Sequence, residues 1–377
     1  MTSSDSSNQK IRVGFIGLSA SSGWAAGNLA PALLHPSLRD RFDLVAVSTT
    51  TDTSAAASAA KYSKEVGHDI KAYSGDTSRI AADPDIDLVA VSVKAPNHLQ
   101  AVLPVIEAGK NFFLEWPAGA STRETEMIAE AARRNGVRSI IGLQGRHAVV
   151  IRKLREILAS GVIGTVRSTN VITHNPRELG YYAPFAREVY AYSLDPKNGC
   201  SLLAIPIAHQ LDTLVDVLGE FASVSATEAT MYPTITFVDE AGKPTDKTIP
   251  SRQPDHYAIT GILKTGVLAN ILWRSGYASS EGRRQFIWEI EGEEGSIILQ
   301  SKEKTGAFPG FTESELYLNG QKVEFETPGN VFESCRQAWQ EYADGTERYV
   351  TIDDAVKHHR LIDAIETSAK EGRRIVL

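Results

Sequence analysis

The amino-acid sequence predicts an α/β protein with two domains: a doubly wound parallel sheet, followed by an α+β domain with an open, mainly antiparallel sheet. In the first half, short continuous apolar runs alternate with helical segments, as in strands buried on both faces of a parallel sheet. Longer strand patterns separated by turns recur in the second half. The chain has 377 residues, of which 42% are hydrophobic, and this length suits two cores better than one.

The strands of the first domain are predicted from apolar runs rich in Val, Ile and Phe. These runs cover residues 11–16, 44–48, 88–93, 112–114 and 139–141. The segments between them are predicted helices. One of these helices begins at the capping box Ser121-x-x-Glu124 and ends at Asn135-Gly136. Ligands of such a sheet bind at the carboxyl ends of its strands.

The pattern changes after residue 146. A helix over 149–160 and a strand over 166–173 precede an irregular, aromatic-rich stretch over 174–198 and an apolar helical run over 202–218. Further predicted strands cover residues 224–231, 257–263, 267–273, 286–291 and 296–299. The capping box Thr351-x-x-Asp354 begins a last helix. We therefore predict a disordered tail over 1–10, a first domain over 11–145, and a substrate-type α+β domain over 146–377.

Composition excludes several classes of function. The net charge is −7, which argues against a broad basic surface for nucleic acid or for an anionic membrane. Cys200 and Cys335 are the only cysteines and lack metal-ligand spacing, so we expect no disulfide, no metal site and a cytoplasmic protein. Apolar runs such as 88–93 are too short to span a bilayer.

The turn GFIGLSASSGW at residues 14–24 lies where the first strand should lead into the first helix. At such a turn, main-chain N–H groups face a pyrophosphate. Ser19 occupies the place of the second glycine of GxGxxG, and the third glycine comes one residue late. The position of the turn still predicts a Rossmann dinucleotide site, and an ordinary polar turn is the alternative interpretation. The residues of this site are Gly17, Ser19, Ala20, Ser22, Gly23 and Trp24.

The end of the second predicted strand bears on the choice of nucleotide. Proteins that select NAD usually place a carboxylate here for the ribose 2′-hydroxyl, but this chain has Ser48, Thr49 and Thr50, and the first carboxylate is Asp52. These hydroxyl groups could bind the 2′-phosphate of NADP, so we predict NADP as the cofactor. NAD stays the alternative, because no arginine lies in this turn.

Motifs spread over nearly the whole chain from Ile11 onward resemble a known family. They include APNH at 95–98, GKNFFLEWP at 109–117, SGVIG at 160–164 and IEGEEGS at 290–296. Together they resemble the glucose–fructose oxidoreductase/inositol dehydrogenase/MocA family. Residues 17–25, 114–116 and 141–146 are most similar to its fungal galactose-pathway repressor group.

The resemblance implies a nicotinamide cofactor lying across the strand ends, and a homodimer formed through the open sheet. It also implies further residues at the cofactor, some near the nicotinamide half and two at the domain junction. These residues are Val93, Asn97, His98, Glu115, Trp116, Gln144 and Arg146.

Two departures from the family pattern concern catalysis. Family enzymes carry Glu-Lys-Pro where this chain has Glu115-Trp116-Pro117, so the usual proton-transferring lysine is replaced by tryptophan. The later motif normally has an Asp several residues before a His, and only His209 is kept here. Removing a positioned acid/base typically costs about 10²–10⁴ in rate.

Other residues could carry the proton instead. His209 and Asp212 lie three apart on a predicted helix and share a face, so the carboxylate could orient the imidazole as a general base. Tyr182, in the aromatic-rich stretch, is a candidate proton donor. The alternative for all three is simple packing. We expect His147 and His256 at the surface or a junction, and the His358-His359 pair on a solvated face.

Three functions remain open from the sequence. The first is an NAD(P)-dependent oxidoreductase acting on a small hydroxyl or carbonyl metabolite. The second is a non-catalytic regulator that senses the dinucleotide and binds a protein partner. The third is a lyase or epimerase in which the hydride returns to the substrate. The chain has no long polar insertion suited to a partner, which favours the enzyme.

Overall fold

The structure is a computed structural model that describes residues 10–325, 329–346 and 348–377. The chain divides into two compact units. The first unit contains residues 1–142 and 335–356, and the second contains 143–334 and 357–377. The predicted tail over residues 1–10 lies outside the described residues apart from Lys10.

The sheet of the first unit has six strands, all parallel to their neighbours. They are β1 (Ile11–Ile16), β2 (Phe42–Thr49), β3 (Lys71–Ser74), β4 (Leu88–Val91), β5 (Asn111–Leu114) and β6 (Ser139–Ile141). Their spatial order is β3-β2-β1-β4-β5-β6. The direction of winding reverses between β1 and β4, and a ligand crevice is expected at that point. The predicted Rossmann sheet is thus confirmed.

Helices connect these strands. They are α1 (Ala30–Leu33), which follows a π-helical turn at Ala25–Leu29, α2 (Asp52–Val66), α3 (Ser78–Ala81), α4 (His98–Glu107) and α5 (Thr122–Asn135). The predicted cap of α5 is present, since the Ser121 side chain accepts a hydrogen bond from the Glu124 N–H. Gly136, in the left-handed conformation, ends this helix.

The second unit contains a nine-stranded and a three-stranded sheet. Its strands are β7 (Val166–Asn175), β8 (Phe185–Arg187), β9 (Phe221–Ala229), β10 (Thr234–Val238), β11 (Pro244–Pro250), β12 (His256–Leu263), β13 (Leu268–Ser275), β14 (Phe286–Gly292), β15 (Ser296–Ser301), β16 (Glu315–Leu318), β17 (Gln321–Val323) and β18 (Ile375–Val376). The larger sheet has the order β17-β16-β15-β14-β7-β13-β12-β9-β18, and β7 with β13 is its parallel pair. The expectation of an open, mainly antiparallel sheet is therefore confirmed.

The remaining helices are α6 (Val149–Ala159), α7 (Ala208–Leu218), α8 (Val331–Asp344) and α9 (Ile352–Glu371). The stretch Pro196–Leu218, which contains α7, is the one helical stretch among the described residues that is long and apolar enough to be considered a membrane span. Its most apolar window is 72% buried inside the protein, which is the behaviour of a core helix. Such a stretch is weak evidence for a span.

The segment 335–356 belongs to the first unit, although the sequence placed it in the second. The Trp339 ring packs on Phe42 and Phe113, with ring centres 5.5 and 4.9 Å apart. The Ile141 N–H donates to the Val350 carbonyl at 2.8 Å, which extends the edge of the sheet. These contacts join residues far apart in the chain, and no local pattern could have indicated them.

Candidate functional site

The turn after β1 requires glycine at position 17. Gly17 has φ +89°, and a Cβ atom there would lie 2.1 Å from the main-chain oxygen of Ser92. The Gly17 N–H donates to the Ser48 carbonyl at 2.9 Å. The turn is thus held against the carboxyl ends of β2 and β4, and a larger residue would be both strained and in collision.

Two side chains of α2 hold the carbonyl groups of this turn. The Ser58 hydroxyl donates to the Leu18 carbonyl at 2.6 Å, and the Tyr62 hydroxyl donates to the Ser19 carbonyl at 3.3 Å. Within the described part of the chain, the main-chain N–H groups of Ala20 and Ser22 have no acceptor. Main-chain donors that the fold leaves without an acceptor suit the binding of an anion.

Ser58 was missed by sequence reasoning, although a signal was present. It lies on the same helical stripe as the buried residues Ala55, Ala59 and Tyr62. A serine on a stripe of otherwise apolar contacts needs a hydrogen-bond partner, and a turn carbonyl is the partner that it finds here.

Gly23 and Trp24 lead from the turn into the first helix. Gly23 has φ +117°, and a Cβ atom there would meet no atom within 4 Å. Trp24 is 40% exposed, and its indole Nε1–H donates to Glu115 Oε1 at 2.7 Å. Since β4 lies between β1 and β5 in the sheet, this bond bridges the crevice at the strand ends.

Glu115 follows β5 directly. Burial raises the pKa of its carboxyl to about 8, although the Trp24 indole and a main-chain hydrogen bond from Trp116 oppose this shift. A Cβ atom at Gly142 would lie 2.5 Å from Glu115 Oε2, so glycine makes room for the carboxyl. The next side chain, Trp116, is only 6% exposed. The indole that the resemblance aligns with the lysine of family enzymes is therefore buried.

The hydroxyl groups after β2 form a network at the start of α2. Ser48 is buried and Thr50 is exposed, while the Thr49 hydroxyl lies 2.6 Å from the Ser54 hydroxyl. Thr51 and Ser54 form a reciprocal capping box at this helix. The Asp52 carboxylate accepts a hydrogen bond from Ser74. The carboxylate nearest to this strand end is therefore engaged by a neighbouring hydroxyl.

His98 holds two loops together instead of facing a ligand. Its Nδ1 lies 2.7 Å from the Pro117 carbonyl and its Nε2 lies 3.0 Å from the Val93 carbonyl. The side chain is buried, and burial lowers its pKa. A neutral imidazole donates to one of these carbonyls at a time. The predicted cofactor contact from His98 is therefore replaced by a structural one, while Asn97 is exposed just before α4.

Arg146 and Asp212 form a two-pronged ion pair in the second unit. Arg146 Nε and Nη2 donate to the two Asp212 carboxylate oxygens at 2.8 and 2.6 Å. Asp216 lies 3.9 Å from Arg146 Nη1 and accepts a hydrogen bond from Arg155. Both carboxylate oxygens of Asp212 accept from this arginine, so the geometry gives no support to the predicted pairing of Asp212 with His209. The predicted cofactor contact of Arg146 gains no support from this geometry.

His209 lies on the same helix, α7. Burial and the neighbouring His358 lower the pKa of His209 to about 3, so its ring is neutral. Its Nδ1 atom is buried and has no hydrogen-bond partner among the described residues. Gln144 is also buried, at the start of a short 3₁₀ helix, Gln144–His147. A neutral imidazole without an orienting carboxylate is a weak general base.

Tyr182 is a packing residue in this structure. Its side chain is buried, and its hydroxyl donates to the Ser201 carbonyl at 3.2 Å. Burial raises the pKa of this phenol well above its ordinary value. These contacts argue against the predicted role of Tyr182 as a proton donor, because its hydroxyl hydrogen is donated to a main-chain carbonyl.

The other histidines lie deeper than expected. His358 and His359 are both buried, so the expectation of a solvated face is wrong for this pair, and His147 is buried as well. His358 Nε2 donates to the Ala208 carbonyl at 2.8 Å, which places it in the core of the second unit. His256 is partly buried and contacts both Asp255 and Tyr277. The described residues contain no group of three or more His, Cys, Asp or Glu side chains that could hold a metal ion.

A six-stranded parallel sheet in this order, with an anion-binding turn at its point of reversal, defines a Rossmann dinucleotide-binding protein. Residues 11–143 match the oxidoreductase family with an NAD-binding Rossmann fold, and residues 149–301 match the Gal80p C-terminal domain. The chain belongs to this glucose–fructose oxidoreductase/inositol dehydrogenase/MocA family of NAD-binding oxidoreductases, as its motifs predicted.

Similar proteins include both an enzyme and regulators. Dehydrogenase aclE of Aspergillus oryzae is 30% identical over 382 residues, covering 97% of this chain and 98% of the relative. The galactose/lactose metabolism regulatory protein GAL80 of Saccharomyces cerevisiae is 28% identical over 323 residues, covering 83% and 71%. The crystal structure of a super-repressor mutant of Gal80p from the same yeast matches with TM-score 0.87 and 23% identity over 98% of both chains, which shows a shared fold.

Proposed function

We propose that this protein is an NAD(P)-dependent oxidoreductase that acts on a small hydroxyl or carbonyl metabolite. The observation that supports it is the turn after β1, whose carbonyls are fixed by Ser58 and Tyr62 while the N–H groups of Ala20 and Ser22 stay open. Gly17, Ser19 and Gly23 would lie along the pyrophosphate of the dinucleotide. When bound, the nicotinamide supplies the hydride donor or acceptor.

The two relatives differ in the share of their length that aligns with this chain. The dehydrogenase from Aspergillus is covered over 98% of its length, whereas the yeast regulator is covered over 71%. The alignment with the enzyme therefore spans a larger share of both proteins than the alignment with the regulator, which covers 83% of this chain. That difference favours the oxidoreductase over the regulator.

The nucleotide that we propose is NADP, with NAD as the alternative. The hydroxyl groups of Thr49, Thr51 and Ser54 gather at the start of α2, where a helix N-terminus favours a phosphate. The Asp52 carboxylate accepts a bond from Ser74, which competes with a role as acceptor for a ribose hydroxyl. Titration calorimetry with NADP⁺ and NAD⁺ tests this preference, and tighter binding of NAD⁺ would contradict it.

Turnover is tested with a panel of aldoses, polyols, vicinal diols and aromatic ketones, following the absorbance of the reduced nicotinamide. We expect oxidation or reduction of at least one class together with dinucleotide binding. Conversion of a substrate without net change in the cofactor would instead indicate the lyase or epimerase reaction. Absence of dinucleotide binding would reject the proposed function as a whole.

The regulator is the second candidate, because residues 149–301 match the Gal80p C-terminal domain. In this case the protein would bind the dinucleotide tightly without turning over any panel compound. It would also bind a transcription-activator segment in a way that depends on the dinucleotide. Both results together would replace the oxidoreductase proposal.

We further propose a cytosolic homodimer formed through the open sheet of the second unit. Alternate residues of β12 and β13 are exposed, among them Ala258, Thr260, Leu268 and Asn270. A row of exposed side chains that includes apolar ones suits a face-to-face contact between two copies. Sedimentation equilibrium tests this, and Leu268→Asp should shift the protein towards a monomer. A wild-type monomer at micromolar concentration would contradict the proposal.

A further inference from the structure

The strand order of the first unit gives the proposed dinucleotide a direction across the sheet. Its pyrophosphate would lie at the turn after β1, and its adenosine ribose at the end of β2, as in Rossmann folds generally. The order β3-β2-β1-β4-β5-β6 puts β2 on one side of this turn, and β4 and β5 on the other. The nicotinamide half would therefore extend over the carboxyl ends of β4 and β5. The first residue after β5 is Glu115.

Contacts within the first unit hold Glu115 at this strand end. Its N–H donates to the Val91 carbonyl at 3.1 Å, which fixes the main chain beside β4. Its Oε1 atom accepts the indole N–H of Trp24, the residue that follows the turn after β1, at 2.7 Å. Its Oε2 atom lies beside Gly142, where a Cβ atom would collide with it. Glu115 is only partly buried, so it keeps some exposed surface at the strand ends.

The Glu115 carboxyl has no countercharge in the described part of the chain. Its hydrogen-bond donors there are the indole of Trp24 and the main-chain N–H of Trp116, and both are neutral. Two titratable groups lie near it: the thiol of Cys335, and the imidazole of His98, which is bonded to the loop after β5. Burial raises the pKa of the thiol and lowers the pKa of the imidazole, so both stay neutral. A cationic group of a ligand would therefore meet no competing cation from these neighbours.

The two forms of a nicotinamide ring differ in charge. The oxidised ring carries one positive charge, and the reduced ring carries none. A positive charge within about 4–6 Å of a carboxyl favours its ionisation by roughly 10-fold to 1,000-fold. Burial raises the pKa of Glu115 to about 8, so most of its carboxyl groups carry a proton near neutral pH before a ligand binds. A cationic ring would shift this equilibrium towards the carboxylate, and a neutral ring would not.

We propose that Glu115 distinguishes the oxidised from the reduced dinucleotide, because its carboxylate stabilises the cationic ring and its protonated form accommodates the neutral ring. This inference rests on the proposed dinucleotide site. When the oxidised form binds to the protonated protein, the O–H bond of Glu115 breaks, its electron pair stays on the carboxylate, and the proton goes to solvent. No electron passes to or from the protein. Binding of the oxidised form is therefore linked to the release of a proton, whereas binding of the reduced form is not.

The test measures the Kd of NADP⁺ and of NADPH by calorimetry between about pH 6.5 and about pH 9, with NAD⁺ and NADH in parallel. The ratio of the two constants cancels the titration of groups that both forms share, such as the 2′-phosphate. Affinity for the oxidised form relative to the reduced form should rise with pH by roughly 10-fold and level off above about pH 8. Glu115→Gln should give a ratio that does not change with pH. The exposed Glu107→Gln should behave as the wild type.

Two further measurements do not depend on the stability of Glu115→Gln. In the wild type at about pH 7, heats of binding in buffers of different ionisation enthalpy should show that NADP⁺ releases up to about one proton more than NADPH. Trp24→Phe removes the indole donor that favours the carboxylate, so the pH dependence of the ratio should persist and move to higher pH. Equal proton release by the two forms, or movement to lower pH, would overturn the inference.

The outcomes separate this inference from the proposed function. If both forms bind to the wild type in a ratio that is independent of pH, or that Glu115→Gln leaves unchanged, the inference is overturned while the dinucleotide site stands. If neither form binds, the proposed function and the inference fail together. No substrate enters the measurement, so it decides equally for an oxidoreductase and for a regulator.

Discussion

The two units treat their polar groups in opposite ways. In the first, the turn after β1 keeps main-chain donors open because Ser58 and Tyr62 occupy its carbonyls. In the second, charged side chains at the predicted catalytic helix α7 form ion pairs with each other. Arg146, for example, donates to the carboxylate of Asp212. The main-chain donors of the proposed dinucleotide site thus stay available to a ligand, whereas a polar pair on a helix face can serve the fold alone.

The largest effect is expected from Asp212→Asn. If Asp212 serves the fold, its loss leaves Arg146 without its main partner and should lower the free energy of unfolding by roughly 3–5 kcal/mol. Denaturant unfolding measures this. Glu293→Gln is the control, because the Arg167–Glu293 pair at 2.6 Å is exposed and should leave stability unchanged. Lower kcat at unchanged stability would instead restore Asp212 as a partner of His209.

Gly17→Ala tests whether the turn after β1, with its main-chain N–H donors, binds the dinucleotide. The Cβ atom would collide with the Ser92 carbonyl, so we expect dinucleotide affinity to fall at least about 100-fold, or about 2.7 kcal/mol. Gly67→Ala is a matched control, since Gly67 also has positive φ, +83°, but no atom within 4 Å of a Cβ. The control should lose only about 1 kcal/mol of stability and keep its affinity. If calorimetry gives the two variants equal dinucleotide affinities, the turn after β1 is not part of the dinucleotide site.

Glu115 should make stability depend on pH. Its folded-state pKa, raised to about 8, lies above the ordinary value of the unfolded chain. The resulting stabilisation is complete below that ordinary value and is lost as pH rises towards about 8, by up to about 1.4 kcal/mol per pH unit. Glu115→Gln should therefore flatten the decline in unfolding free energy between about pH 5 and about pH 8, which denaturant unfolding across that range measures. The exposed Glu107→Gln should leave the slope as in the wild type.

Ser58→Ala is expected to have the smallest effect. Loss of its bond to the Leu18 carbonyl should cost about 1 kcal/mol and weaken dinucleotide binding several-fold, because the turn is less firmly oriented. Ser63→Ala, on the same helix, removes the acceptor for the Ile70 N–H without touching the turn. A similar loss of stability with unchanged affinity is expected for this control. If both variants lose affinity equally, α2 as a whole is responsible.

The same contrast explains what could be predicted from the sequence. Buried strands such as β1 and β6 can be recognised in the sequence as apolar runs. The turn after β1 can be recognised from Gly17, because its conformation requires a residue without a side chain. The exposed strand β3 has no apolar run and was not predicted. Helical spacing predicted that His209 and Asp212 share a face, but it could not indicate that Arg146, 66 positions from Asp212, would take the carboxylate.

The late return of residues 335–356 to the first unit has a consequence during synthesis. Phe42 and Phe113 leave the ribosome long before Trp339, the ring that covers them. At about 5–20 residues per second, the nascent chain carries an uncovered aromatic surface for tens of seconds, on the order of 10–40 s. The core of the dinucleotide-binding unit therefore closes only after residues 335–356 have been synthesised.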